Sequence, residues 1–335
     1  MKKLFMGNAS HLPTWVCAGH DNPQTQAAIF LNAKKTKDTA LQGFARVDIS
    51  TNHVLVELRP QFIAIMVNAK DLNLFTEYPD EFYLTFADPE HATEPNKIFG
   101  EIGLCFKRHI NIAEYALVLF ETTYCKNYCL SSWRIQSHYL YERIKLFFDR
   151  NPHNTQKMSS YYLFSNWLLF SMPRAVALVS FDDGQYSNMF PMDLIGPTDS
   201  PYYVLSLTSS DPSLPHILKN RRLVVSHVPL HETDNVYAMA KNHKRQSTSR
   251  EEMIVDTKLS PDFNIPIPVS ALCIRELDIV TSFDVDYHTI IISQVRNFER
   301  YKQGLHMCHV QRIYQRYLLN QNRALPQVDR LYKRA

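Results

Sequence analysis

Short runs of β-branched and aromatic residues, bounded by Asn, Asp, Pro or Thr, recur along most of this chain and constrain its fold more than any other feature. From Gly43 to about Lys107 they are FARVDI, HVLVELR, FIAIMVNA, EFYLTF and IFGEIGLCF. They resume at 175–181, 186–190, 202–208, 222–228, 269–280 and 287–295. Such residues suit a pleated, half-buried surface, so these runs are predicted strands. Between the two sets the texture turns helical. Leu140, Ile144, Phe147 and Phe148 share one helical face and predict an amphipathic helix from about Trp133 to Phe148, and YYLFSNWLLF (161–170) reads as a short buried helix. Val310, Ile313, Tyr314, Tyr317 and Leu318 predict a closing amphipathic helix.

DRNPHNTQKMSS (149–160) is the most linker-like stretch. The expected division is an N-terminal α+β domain over 1–150, of unassigned function, and a second domain over 158–325. Residues 1–40 are polar without a clear period, and the sequence carries no internal repeat. KNHKRQSTSREEM (241–253) reads as an exposed loop or helix with a solvated basic face.

The 335 residues are 45% hydrophobic, enough for a large core, and glycine is scarce at 8. Lys and Arg number 36 against 33 Asp and Glu, so the formal net charge is +3, without long runs. That balance gives no electrostatic reason to expect nucleic acid or an anionic membrane as partner. The start, MKKLFMG, has three apolar residues where a signal peptide needs about 7–15. No run approaches the roughly 18 apolar residues of a membrane span. A cytoplasmic protein is expected.

GxGxxG, GxxxxGK[ST], HExxH and GxSxG are all missing from the chain, which removes several motif-bearing enzyme classes. Cys17, Cys105, Cys125, Cys129, Cys273 and Cys308 are irregularly spaced and suggest free thiols rather than a zinc site. Cys125 and Cys129 read as helical cysteines. On a helix His306 and His309 would lie a turn apart with Cys308 pointing elsewhere, so no metal is expected there.

The second half carries a different signal. In MPRAVALVSFDDGQYSNMFPMDL (172–194), Asp183-Gly184 between two apolar runs is a strong hairpin signature, and the second run carries a small polar pair, Ser187-Asn188. In SSDPSLPHILKNRR (209–222), Asp211 or Ser210 is placed as a helix cap with Pro212 at the first helical position. Backbone N–H groups there, beside the Ser209, Ser210 and Ser213 hydroxyls, could hold a phosphate; a capped helix that binds nothing is the competing interpretation.

Taken in order, these elements resemble the flavin reductase-like family of FMN-binding split barrels. Pro173-Arg174-Ala175-Val176-Ala177-Leu178-Val179 is similar to the family's opening strand, and Asn188-Met189-Phe190-Pro191 after Asp183-Gly184 to its Asn-x-x-Pro segment. Ser210-Asp211-Pro212-Ser213-Leu214-Pro215-His216-Ile217 resembles its Lys-Asp-Thr-x-x-Asn-Ile. Leu223-Val224-Val225-Ser226, Ala271-Leu272-Cys273 and Asp286-Tyr287-His288 follow in family order. The resemblance covers about residues 165–320. It implies a split β-barrel for the C-terminal half of an α+β chain and says nothing of residues 1–150, which the strand and helix runs read as a separate mixed α/β unit.

It also implies FMN as cofactor (rather than FAD or riboflavin), contacted by Ser187, Asn188, Met189, Phe190, Thr208, Ser209, Ser210 and Ser213. NAD(P)H is the implied hydride donor, and His288, matching a family histidine beside the flavin face, the implied catalytic residue. A homodimer is implied, as is a partner monooxygenase taking reduced flavin. Asp193 and Ser210 replace the family's serine and lysine, with Lys219, Arg221 and Arg222 as nearby cations. A flavin-binding or partner-recognition module without general reductase turnover is the alternative, and a barrel that keeps only a structural role is a third.

Overall fold

The computed structural model describes residues 15–20, 28–34, 44, 46–58, 60–88, 97–148, 160–171, 173–321 and 327–332. The strands of the first half are β1 (Trp15–His20), β2 (Ala28–Ala33), β3 (Val47–Asp48), β4 (His53–Leu58), β5 (Gln61–Asn68), β6 (Phe82–Ala87), β7 (Ile98–Ile112) and β8 (Tyr115–Asn127). Those of the second are β9 (Arg174–Ala175), β10 (Ala177–Asp182), β11 (Ser187–Met192), β12 (Ile195–Pro197), β13 (Tyr202–Thr208), β14 (Arg222–His227), β15 (Thr257–Leu259), β16 (Pro266–Pro268), β17 (Cys273–Val285), β18 (His288–Arg300), β19 (His306–Gln311) and β20 (Gln327–Tyr332). The helices are α1 (Leu72–Glu77), α2 (Ser132–Phe148), α3 (Ser160–Leu169), α4 (Leu214–Asn220), α5 (Thr233–Ala238) and α6 (Arg312–Asn320).

Two seven-stranded antiparallel sheets dominate, ordered β3-β2-β6-β7-β8-β5-β4 and β11-β10-β14-β17-β18-β13-β12. Substituting β10, β11, β12, β13, β14, β17 and β18 for β2 through β8 turns one order into the other, so the halves share one topology. Details repeat as well. The β7–β8 and β17–β18 hairpins both turn on two residues, the first with positive φ: 51° at Ala113 and 45° at Asp286. Ala69 N donates to Glu114 O and Ser209 N to Tyr287 O, each over 2.9 Å, beside those turns. The first half, expected as a separate mixed α/β unit, thus carries a second version of the sheet in the other half.

Burial follows the two-residue side-chain period of a strand. Along β13, Tyr203, Leu205 and Leu207 point into the core of the second sheet, while Tyr202 and Val204 point the other way, toward the first half. Along β5, Ile63 and Ile65 point into the first sheet's core, and Phe62, Ala64 and Met66 face the second half. Both faces of these strands are therefore covered, which is why FIAIMV and YYVLSL are continuously apolar or nearly so. The halves are also joined by Ser206, whose hydroxyl donates to Val56 O.

Helix α3 and the C-terminal helix complete the first core: Trp167, Leu168, Tyr314 and Leu318 are buried there with Ile29 and Phe99. Helices α2 and α3 lie where the hydrophobic spacing put them. The closing helix is shorter than expected, because Val310 belongs to β19, which pairs with β1. Strands β2 and β8 went unrecognised in the sequence. Cys125 lies on β8 rather than a helix, and His306, Cys308 and His309 lie on β19. Cys105, Cys125, Cys129 and Cys273 form no disulfide, and burial pushes the Cys125 thiol up to about 12. The linker-like stretch falls mostly outside the described residues. No helix among the described residues is long and apolar enough to cross a membrane.

Candidate functional site

The Asp-Gly hairpin forms as the sequence predicts. Gly184 takes φ 86°, Asp182 Oδ1 accepts the Gly184 N–H, and Asp183 Oδ1 accepts those of Gln185 and Tyr186. His216 lies 3.2 Å from the other Asp183 oxygen. Such short-range side-chain bonds fix a turn locally. They hold Ser187 at the start of β11, opposite Asp182.

The small polar pair after this turn has two fates. Asn188 is fully buried, and its amide ties three segments together. Its Nδ2 donates to Ser213 Oγ at 2.9 Å, Arg245 O at 3.0 Å and Asn242 O at 3.1 Å, while its Oδ1 accepts from Thr248 Oγ1 and Met189 N. By contrast, the buried hydroxyl of Ser187 has no hydrogen-bond partner among the described residues. Met189 and Phe190 are wholly buried, Met189 against Val236 and Met239, Phe190 in the second core with the His243 ring 4.6 Å away. The stretch 241–253, expected as an exposed loop or helix, is mostly exposed and carries two short 3-10 turns, while Asn242, His243, Arg245, Ser247 and Thr248 reach back to β11.

The segment after β13 also differs from its sequence description. Helix α4 begins at Leu214 with Pro215 in its first turn and Ser213 before it, not at Pro212 with Asp211 or Ser210 as its cap. Asp211 N donates to Thr208 O, and Asp211 Oδ1 accepts the Ser213 N–H at 2.8 Å, so a tight turn occupies the place of the first helical residues. The second Asp211 oxygen meets His243 Nδ1 at 2.9 Å, and His243 Nε2 reaches Pro191 O at 2.7 Å. Ser213 is fully buried and donates to Arg245 O at 3.1 Å. Thr208, Ser209 and Ser210 are exposed. Of the nearby cations, Arg221 is spent on the Ile279 and Val280 carbonyls at the end of α4.

These bonds curl the second sheet. Strand β11 is one edge and the β12–β13 pair the other, yet Asn188 on β11 touches Ser213 just beyond β13. The loop after β13 therefore closes on β11, and the rim runs from Ser187 and Asn188 through Ser213 to Thr208, which pairs directly with His288, with Met189 and Phe190 in the cores behind it.

At the far end of this rim His288 Nδ1 lies 2.5 Å from Glu57 Oε2. Glu57 is on β4 of the first half, nearly wholly buried, and its other oxygen accepts the Leu58 N–H. A carboxylate on Nδ1 fixes the ring orientation and leaves Nε2 as the outer nitrogen. Next to it, Ser209 Oγ and Thr289 Oγ1 are 3.1 Å apart, and Thr289 Oγ1 donates to Asp284 Oδ1 at 2.6 Å. Glu57, His243 and Thr248 were not singled out in the sequence, since nothing in their local patterns marks them. Glu57 is 231 residues from its partner.

An open, curled antiparallel sheet in an α+β chain is the arrangement that the family resemblance implies for the second half. No protein-family model and no curated protein matches the chain. Among solved structures, it is similar to an FMN-binding protein from Thermus thermophilus at 19% identity, over 38% of this chain and 72% of that one, with a TM-score of 0.34. It is also similar to an NADH:FAD oxidoreductase of Streptomyces globisporus at 14% identity, over 46% and 86%, with a TM-score of 0.37. A third is BorF, the flavin reductase component of a bacterial two-component tryptophan halogenase, at 13% identity, over 44% and 96%, with a TM-score of 0.37. Likenesses this distant carry no argument about activity.

Proposed function

We propose that the chain is a flavin-binding oxidoreductase whose FMN lies along the rim between Ser187 and His288. The observation that carries this is the His288–Glu57 contact beside the exposed hydroxyls of Thr208, Ser209 and Ser210. The Ser187 hydroxyl, which has no hydrogen-bond partner among the described residues, is a second point at which a polar ligand atom would be matched. The fit is therefore at Ser187, Thr208, Ser209 and Ser210. Asn188, Met189, Phe190 and Ser213 support that wall from behind, their polar atoms already matched.

Bound FMN would supply hydride chemistry, with NAD(P)H as donor and a small acceptor or a partner monooxygenase downstream. In this chain's own terms, Glu57 holds His288, and His288 Nε2 is the group that hydrogen-bonds the incoming nicotinamide or the charge developing on the reduced ring. The closed network at Asn188, Ser213 and Arg245 favours a second function, a flavin-binding or partner-recognition module without general turnover. Absorbance of the purified protein with added FMN, followed by stopped-flow mixing with NADH and NADPH, decides between them. A flavin spectrum with reduction is the expected result. Binding without reduction leaves the module, and no binding discards both.

A further inference from the structure

The two halves meet across a seam whose sides correspond. In register, Val204, Ile290 and Val285 of the second half match Ala64, Leu117 and Ile112 of the first, and all six lie in one buried cluster. At its middle the matching residues Gly196 and Val54 face one another: a Cβ on Gly196 would lie 3.0 Å from Val54 Cγ2. A surface packed against its own counterpart is the mark of a two-fold interface between subunits, here made within one chain.

A two-fold relation generates two equivalent ends, and these differ sharply in chemistry. One end carries Thr208, Ser209, His288 and Thr289, with Glu57 contributed by the opposite half. At the other end the corresponding positions hold Asn68, Ala69, Tyr115 and Ala116. Two hydroxyls have become methyl groups and the imidazole a phenol ring. That ring packs edge-on against Tyr202 of the opposite half, centroids 6.0 Å apart.

We propose that the first half stands in for a second subunit, so that one chain is the complete working unit and holds one FMN, at the His288 end, while the Tyr115 end is closed. This rests on the flavin function above and replaces the homodimer implied by the family resemblance. The first half keeps the wall that the site needs, Glu57 included, and is relieved of supplying a site itself.

Native mass spectrometry of the full chain titrated with FMN tests this, alongside two matched substitutions at exposed, corresponding positions. The expected result is a single chain with one FMN, binding lost in Thr208→Trp and kept in Asn68→Trp. Ser210→Trp, also exposed, serves in place of Thr208→Trp should that variant not fold. An obligate dimer, two FMN per chain, or binding lost in Asn68→Trp but kept in Thr208→Trp would overturn the inference while leaving the flavin function standing. A folded single chain that takes up no FMN overturns the flavin function, and the one-site assignment with it.

Discussion

His288 and Glu57 touch through Nδ1 and Oε2 although each belongs to a different seven-stranded sheet. The contact makes the two residues separable by substitution. His288→Ala is expected to keep the flavin spectrum while slowing NAD(P)H-dependent reduction about 100-fold, the scale of one lost positioned catalytic group. Glu57→Gln is expected to slow it about 10-fold, the smaller loss typical of an orienting partner. In both variants kcat falls, and in His288→Ala the melting temperature falls as well, because the buried Glu57 side chain loses its imidazole partner. An unchanged reduction rate in His288→Ala removes it from the mechanism.

Ser213 lies inside a bonded network rather than on the rim surface. Ser213→Ala leaves Asn188 Nδ2 and Arg245 O each one partner short. A loss of about 0.5–1.5 kcal/mol in unfolding free energy is expected, the net worth of a hydrogen bond, because Asn188 Nδ2 keeps Arg245 O and Asn242 O. FMN and riboflavin binding should weaken equally. Selective weakening of FMN would show instead that the hydroxyl reaches phosphate.

Gly196 and Val54 set the spacing of the seam. Gly196→Ala places a methyl about 3.0 Å from Val54 Cγ2, tighter than ordinary contact. Overpacking of this kind costs about 1–3 kcal/mol. Val54→Ala opens that space, so the double variant should lose less stability than the two single losses added. Simple additivity in urea denaturation would mean that the two sites do not press on one another.

Acid should weaken the fold through the half-buried His53 and the buried His227. Burial lowers His53 from 6.5 to about 4, with Arg174 adding to the effect. Burial also lowers His227, beside Arg275 and His306, and neither of its ring nitrogens has a hydrogen-bond partner among the described residues. Both are neutral in the folded state, and below about pH 6.5 the unfolded chain binds more protons, so stability falls with pH from there toward 4 and is flat above 7. Urea midpoints at pH 7.5 and 5 should show this, with a smaller drop in His53→Gln. An equal drop in that variant would assign the effect elsewhere.

The strand runs, the hairpin at Asp183-Gly184 and both central helices were legible because periodicity and turn chemistry act over a few residues. Helix α4 was misplaced by two residues, starting at Leu214 rather than Pro212, because Asp211 caps a turn as readily as a helix. Strand β8 was missed beside a helical stretch, although ALVLF is as apolar as any recognised run. The duplication was invisible for a physical reason: corresponding positions such as His288 and Tyr115, or Gly196 and Val54, share a backbone place but not a residue type. The rim residues were found through the family resemblance, whereas Glu57 could not be, since its role exists only after two distant strands have packed.

Helix α6 seals the first core from the other end of the chain. Tyr314 is fully buried there, with its ring centroid 5.1 Å from that of Phe99, and the Tyr317 hydroxyl donates to Asp88. During synthesis the first sheet therefore emerges from the ribosome long before the residues that finish it. Until the last turns of the chain arrive, Phe99 and its neighbours stay open to water or to a chaperone. A premature stop shortly before His306 would leave the rim's residues in the chain and still strand the amino-terminal half in an unfinished, aggregation-prone state.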